Sequence, residues 1–310
     1  MRVAVLKGGR SLERGVSLRS GARVEDALRR LGHDVVPLDA GPDLVERLIE
    51  ERPDVAFVAM HGPGGEDGTV QELLEILGIP FTGPGVAACV RCIDKVMAKH
   101  VLRDAGVPTP DWFAFNETAF RELGAADALG GIEARLGFPL VVKPSRGGSA
   151  LGVRFASAAS EVPAALVSAF SYDDRVLLES FVEGRELAVG VVGGEPLPTV
   201  EAIPAGGDRY DFEARYEIGA TDFVCPADLA PAEEAVVTET ALAANRALGC
   251  EGFSRVDLIL SDGGPQVLEV NAIPGLTDTS LLPQEAEAAG ISFEELVERI
   301  LALAAPVLHE

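Results

Sequence analysis

The first ninety-three residues repeat one pattern. The apolar runs VAVL (3–6), VVPL (35–38) and VAFVAM (55–60) are each too short to be helices. Between them apolar residues recur at helical spacing, Val24, Leu28 and Leu31 in the first interval and Leu44 and Leu48 in the second. Strand, helix, strand in that order makes the strands parallel, because a parallel pair needs a crossover and an amphipathic helix supplies it. Runs that are apolar throughout belong to strands covered on both faces. A helix over 69–77 and a short strand at IPFTG complete this α/β unit. Its glycine-bearing loops, KGGRS and HGPGGEDGT, follow strands, where ligands of open α/β sheets collect. KGGRS is not GxGxxG, so the pattern argues against a dinucleotide fold.

The far end of the chain is organised differently. RVDLIL (255–260) and the run through LEVN (268–271) have strand character, and SDGGP between them is a turn. Folding about Gly263 sets Asp257 opposite Glu269. Asn271, two residues beyond Glu269, shares its face. The other face carries Val256, Leu258, Leu260, Leu268 and Val270. Two carboxylates and an amide oxygen make a hard-oxygen site suited to magnesium or manganese rather than zinc. The same pattern also fits an ordinary acidic hairpin with one side in solvent.

Between these ends a helix runs near 93–105 and stops at GVPTPDW. Residues 110–182 alternate strands and helices: FPLVVKP enters SRGGSALG, then come a strand at VRF, a helix over 161–169 and a strand at RVLLES. ELAVGVVGG and EPLPTVEAI form two strands about a glycine turn, a helix fills 231–247, and a last helix lies within 292–304. Residues 203–223, rich in Gly, Asp and aromatics, have no regular pattern. A long irregular segment inside a compact domain is commonly a functional lid.

Charge narrows the function. The 310 residues carry 26 Lys and Arg against 49 Asp and Glu, a net −23, which excludes a general nucleic-acid binder but not a nucleotide held in a local basic pocket. Lysine occurs only at Lys7, Lys95, Lys99 and Lys143, so each is a candidate. Cys89 and Cys92 have a zinc-like spacing, but on a helical stretch with no second close pair, and are expected to be inert thiols. There is no signal-type apolar segment and no run of about 20 apolar residues, so a cytoplasmic protein without membrane contact is expected.

Taken in order, HGPGGEDGTVQ (61–71), DKVMAKHVL (94–102), VVKPSRGGSALGV (141–153), ARY (214–216), CPA (225–227), GFSRVD (252–257) and LEVNAIPGLTDTSLLP (268–283) resemble the bacterial D-alanine–D-alanine ligases, members of the ATP-grasp superfamily. The resemblance covers essentially the whole chain. It implies an α/β protein, α+β in its ATP-binding part, with three domains: 1–93, 94–182 and 183–310. It implies ATP between the last two, two magnesium ions or manganese, D-alanine as substrate, a D-alanyl phosphate intermediate, and a homodimer. The dipeptide product serves peptidoglycan synthesis.

Carried over residue by residue, the resemblance assigns Lys95, Lys143 and Arg215 to the ATP phosphates, under a loop at 145–152. Arg215 stands where relatives often have lysine. Glu179 is assigned to the adenine or the hinge, and Glu186 to the ribose hydroxyls. Asp257, Glu269 and Asn271 become metal ligands. Arg255 and the backbone N–H of Gly275 face developing negative charge, and Ser280 binds the second substrate's carboxylate. Glu13 holds the first D-alanine's ammonium and orients Ser149 and Tyr216; His61 lies near that substrate. Two positions depart from common family forms: Gly15 replaces a second glutamate, and Ala150 a second serine. A D-alanine–D-lactate ligase, another ATP-grasp amino-acid ligase and a non-enzymatic nucleotide binder are the alternatives. Tyr216 opposes the first, since one group of depsipeptide makers has histidine there.

Overall fold

The computed structural model describes residues 1–124, 129–148, 150–204 and 221–304. Ser149, Arg215, Tyr216 and most of the 203–223 segment therefore lie outside the described residues.

The N-terminal strands are β1 (Arg2–Lys7), β2 (Asp34–Asp39) and β3 (Val55–Val58), in a parallel sheet of order β2-β1-β3. Val3, Ala4, Val5 and Leu6 of the central strand are completely buried, as a strand covered on both faces requires. Helix α1 (Arg14–Arg30) packs Val24, Ala27 and Leu28 into the core on one face; α2 (Leu44–Glu51) and α3 (Thr69–Leu77) cover the other. IPFTG does not form the expected strand. It adds only a one-residue parallel bridge, Phe81 to Ala56.

The expected helix near 93–105 forms as α5 (Lys95–Asp104), and the helical stretch around Cys89 and Cys92 is a separate helix before it, α4 (Val86–Ile93). Asp94 between them is extended, and its carboxylate accepts from the N–H groups of Val96 and Met97 at 3.0 and 3.1 Å. An aspartate that caps a helix stands outside it, so it ends one helix and starts the next.

The middle of the chain is a four-stranded antiparallel sheet, order β4-β7-β5-β6, from β4 (Trp112–Asn116), β5 (Leu140–Pro144), β6 (Arg154–Ala156) and β7 (Arg175–Ser180). It has its own apolar core, including Leu140, Val142, Leu166 and Leu178. Its helices are α6 (Glu117–Arg121), α7 (Leu129–Leu136) and α8 (Val162–Phe170).

The last sheet is antiparallel, with the path β11-β10-β8-β12-β13 and β9 paired to β8. Its strands are β8 (Arg185–Val192), β9 (Glu195–Pro196), β10 (Val200–Pro204), β11 (Thr221–Val224), β12 (Phe253–Ser261) and β13 (Gly264–Asn271). EPLPTVEAI is thus broken into β9 and β10 around Pro198, since proline lacks the N–H a ladder needs. Both ends of the expected irregular segment are also strand: Pro204 pairs with Thr221 and Ala202 with Phe223.

Helix α9 (Pro231–Leu248) and α11 (Phe293–Ala302) fall where expected, but α10 (Leu281–Ala288) was not anticipated. Its Pro283 suggests a breaker, yet proline in a first helical turn forfeits no intrahelical bond. Ser280 before it and the helix-forming run after it were the available signals.

The N-terminal sheet and the last sheet share one continuous core, which joins Val3, Val5 and Leu28 to Val256, Leu276, Val297 and Ile300. Arg23 lies 3.7 Å over the ring of Phe293 across the same contact.

Candidate active site

The hairpin β12–β13 forms in the expected register at its functional end. Asp257 faces Glu269, and Arg255 faces Asn271. The register shifts immediately beyond, between Asp257 and Leu258, where Leu258 pairs with Val267. One extra residue on β13 flips the alternation. Leu268, expected on the packed face, therefore lines the cleft beside Glu269, and Val267 takes its place in the core, fully buried.

Arg255 and Asp257 point to one face, since they are two apart on a strand. They form a two-pronged ion pair, Arg255 Nε to Asp257 Oδ1 at 2.6 Å and Nη2 to Oδ2 at 2.7 Å. Asn271 Nδ2 donates to Asp257 Oδ2 at 3.0 Å. Across the cleft, Lys95 at the start of α5 bonds the carbonyl of Gly147 at 2.7 Å and pairs with Glu269 Oε2 at 3.2 Å. One lysine thus ties the glycine-rich loop to the acidic hairpin.

Lys143 and Glu179 sit side by side on the middle sheet. Lys143 Nζ lies 2.5 Å from Glu179 Oε2, while Lys99 pairs with Oε1. Glu179 and Lys99 are buried, at 1% and 0% exposure. Burial alone would raise the carboxyl's pKa, but the two ammonium groups outweigh it and hold Glu179 below the usual range. Burial moves Lys99 the other way, down to about 8, against the pull of Glu179.

These groups open onto a cleft of about 730 Å³ between the middle and last sheets, lined by Lys95, Lys143, Glu179, Glu186, Asp257 and Glu269. Glu186 pairs with Ile259 across the strands, which puts it on the Asp257 face.

At the other end, Glu13 stands at the start of α1 with its carboxylate against two glycines. A Cβ on Gly62 would lie 2.6 Å from Oε2, and one on Gly148 3.0 Å from Oε1. The first-strand loop, HGPGG and the 145–152 loop therefore meet at Glu13. His61 is buried, and its ring nitrogens are engaged by the Ile273 carbonyl at 3.1 Å and Ser20 Oγ at 3.0 Å. That bond anchors the Ile273–Leu276 turn to α1. Gly275 lies against Ser280, whose Oγ accepts from Thr277 N–H at 3.0 Å.

Three contributors went unassigned in sequence. Lys99 was singled out only by the rarity of lysine. Asp94 receives Ser145 Oγ at 2.8 Å and so fixes the root of the glycine-rich loop. Glu285, on the unanticipated α10, is fully buried against Gly190, the strand partner of Arg255. Burial pushes its carboxyl up to about 8, against the opposing pull of Arg255.

Two antiparallel sheets enclosing a cleft, with lysines on one wall and carboxylates on the other, define an ATP-grasp protein. The model of the D-ala D-ala ligase C-terminus matches residues 101–302, and that of the N-terminus residues 41–84. A D-alanine–D-alanine ligase of Syntrophotalea carbinolica is 45% identical over 301 residues, covering 97% of this chain and 95% of that one. The crystal structure of the Bacillus anthracis D-alanine–D-alanine ligase superposes with a TM-score of 0.86 at 35% identity, covering 98% of this chain and 97% of that one. Its complex with ATP gives 0.83 at 34% identity, with the same coverage. The chain belongs to the D-alanine–D-alanine ligase family.

Among the described residues no helix is long and apolar enough to cross a membrane.

Proposed function

We propose that the cleft binds ATP with its phosphates between Lys95 and Lys143 on one side and the Asp257–Glu269–Asn271 face on the other. The chain is an ATP-dependent D-alanine–D-alanine ligase, and it joins two D-alanines with release of ADP and phosphate. The observation that carries the assignment of the phosphate site is the Lys95–Glu269 contact of 3.2 Å, which brings phosphate-type cations and metal-type carboxylates to one point.

The donor set fits a magnesium or manganese ion that is completed by phosphate oxygens. Among the described residues no three His, Cys, Asp or Glu side chains gather into a cage. Two carboxylates with an amide oxygen leave positions for a nucleotide, as magnesium sites of this type do. Asp257, Glu269 and Asn271 would hold the metal, and the ion would neutralise charge on the transferring phosphoryl group. Arg255, paired to Asp257 on the same strand face, is the guanidinium assigned to the acyl oxygen.

Glu13 is assigned to the ammonium of the first D-alanine, whose carboxylate takes the γ-phosphoryl group; its carboxylate lying against Gly62 and Gly148 supports this. The amine of the second D-alanine attacks the resulting acyl phosphate, and phosphate leaves. Gly275 N–H and Arg255 are the donors toward the charge that builds on the carbonyl oxygen, and Ser280 holds the second carboxylate. Ser149, Tyr216 and Arg215 complete the set by sequence. Glu179 and Glu186 are assigned to the adenine end and the ribose.

The division at residues 93 and 182 is supported by each sheet's falling within one part. The sheet of the middle part has a core of its own, whereas α5 and the segment after it, through Ala98, Leu102 and Val107, join the core that the outer two parts share, so closure would move the middle sheet over a rigid base that includes α5.

ADP release measured against D-alanine, D-serine, D-lactate and L-amino acids tests the assignment. D-alanine should be used as both substrates. Preference for any other acceptor would reassign the second subsite.

A further inference from the structure

Glu179 is shared by two lysines that differ in what else they touch. Lys143 lines the cleft, and among the described residues its ion-pair partner is Glu179. Lys99 lies behind Glu179, off the cleft and fully buried. It also donates to Thr109 Oγ1 at 2.6 Å and to the Pro110 carbonyl at 2.9 Å, and its Nζ sits 5.2 Å from the Trp112 ring centroid. Thr109 Oγ1 in turn donates to the Val267 carbonyl at 2.8 Å, next to the bulge of β13. Lys99 is pinned on several sides and Lys143 on one.

A buried carboxylate cannot be left without a cation cheaply. If Lys143 were the sole counter-ion of Glu179, its turning toward a phosphate would strand that carboxylate, and the nucleotide would bear the cost. A second, fixed ammonium removes the conflict. We propose that Lys99 is a positioning residue, the standing counter-ion of Glu179 that frees Lys143 to engage the ATP phosphates, an inference that rests on the assignment of Lys143 to those phosphates.

Two consequences follow. Loss of the Lys99 charge should hold Lys143 on Glu179 and weaken ATP without touching the D-alanine sites. Binding should also depend on pH. The charged groups facing Lys99 are Glu179 from β7, Lys143 from β5 and Asp111 from the segment before β4; Thr109, Pro110 and Trp112 are neutral. Lys99 begins to lose its proton near pH 8, where ATP itself no longer titrates, so affinity should fall above that pH by up to about tenfold per pH unit.

The test is calorimetric titration of Mg–ATP into the full-length wild type, Lys99→Met and Lys143→Met, with wild type followed from pH 7 to 9.5. At pH 7.5 both variants should bind ATP about tenfold or more weakly, the size of a lost charged hydrogen bond. For Lys99→Met the KM for D-alanine should stay within about twofold of wild type, the split that a general loss of structure would not produce. Wild-type affinity should fall above pH 8, and the Lys99→Met profile should be flat there. Wild-type ATP affinity in Lys143→Met would remove the phosphate assignment itself. Weak binding by Lys143→Met beside unimpaired Lys99→Met would overturn the role of Lys99 alone. Should Lys99→Met fail to fold, Lys99→Gln takes its place in the same titrations.

Discussion

Replacing Glu285 by glutamine should make the protein more resistant to alkaline pH. Glu285 is fully buried on α10, and its carboxyl pKa is raised from 4.5 to about 8, with desolvation the first cause. Between those values the folded protein holds a proton that the unfolded chain has released. Stability from this group is therefore complete below pH 4.5 and is lost as pH rises through 8. At about 1.4 kcal/mol per pH unit, wild type should lose on the order of 3 kcal/mol between pH 6 and pH 9 through Glu285. Glutamine has nearly the same shape and cannot ionise. With an unfolding entropy of roughly 2.1 cal/mol/K per residue, the gap in Tm between variant and wild type should widen by about 4 °C over that range. Differential scanning calorimetry of both proteins at pH 6, 7, 8 and 9 measures it, and the comparison cancels every other titrating group. Gly190→Ala is the companion. Its new Cβ would lie 2.2 Å from Glu285 Oε2, so it should destabilise wild type more than it destabilises Glu285→Ala, where that space is vacant. A Tm gap that stays constant from pH 6 to 9 would mean that Glu285 is already ionised in the fold, and the reasoning from its burial would be wrong.

Other expectations concern catalysis. Asp257→Asn or Glu269→Gln should lower turnover at least about 100-fold, with ATP binding in the absence of metal little changed; full activity of both at ordinary magnesium would refute the metal assignment. Glu13→Gln should raise the KM of the first D-alanine with ATP affinity kept, since its carboxylate lies at the far end of the site against Gly62 and Gly148; steady-state kinetics at fixed ATP would show it. Dipeptide formation should rise with pH near neutrality because the attacking amine must be deprotonated. Equal rates with D-lactate at pH 7 would contradict an amine-selective second subsite.

Much of this molecule is determined locally and so is legible in sequence. Periodicity alone specifies the three parallel strands and their crossover helices, because a strand covered on both faces must be apolar throughout. The pairing of Asp257 with Glu269 matches a hairpin folded about Gly263, but the turn itself pairs Ser261 with Gly264 and Leu258 with Val267, and it is the bulge that brings Glu269 opposite Asp257. The ordered motifs from His61 to Pro283 identify the ligase family, since each motif is short and contiguous. What sequence could not supply depends on partners distant in the chain. The bulge that turns Leu268 into the cleft needs the register of β12 against β13 beyond Asp257, and no propensity encodes it. Helix α10 hides behind a proline that is harmless only because it falls in the first turn. Lys99 stands out in sequence only by the rarity of lysine, and Glu285, on that unanticipated helix, does not stand out at all. Their character comes from burial beside Glu179 and Gly190, roughly 80 and 95 residues away in the chain, and only the packing of distant elements removes water from a charge and changes what it can do.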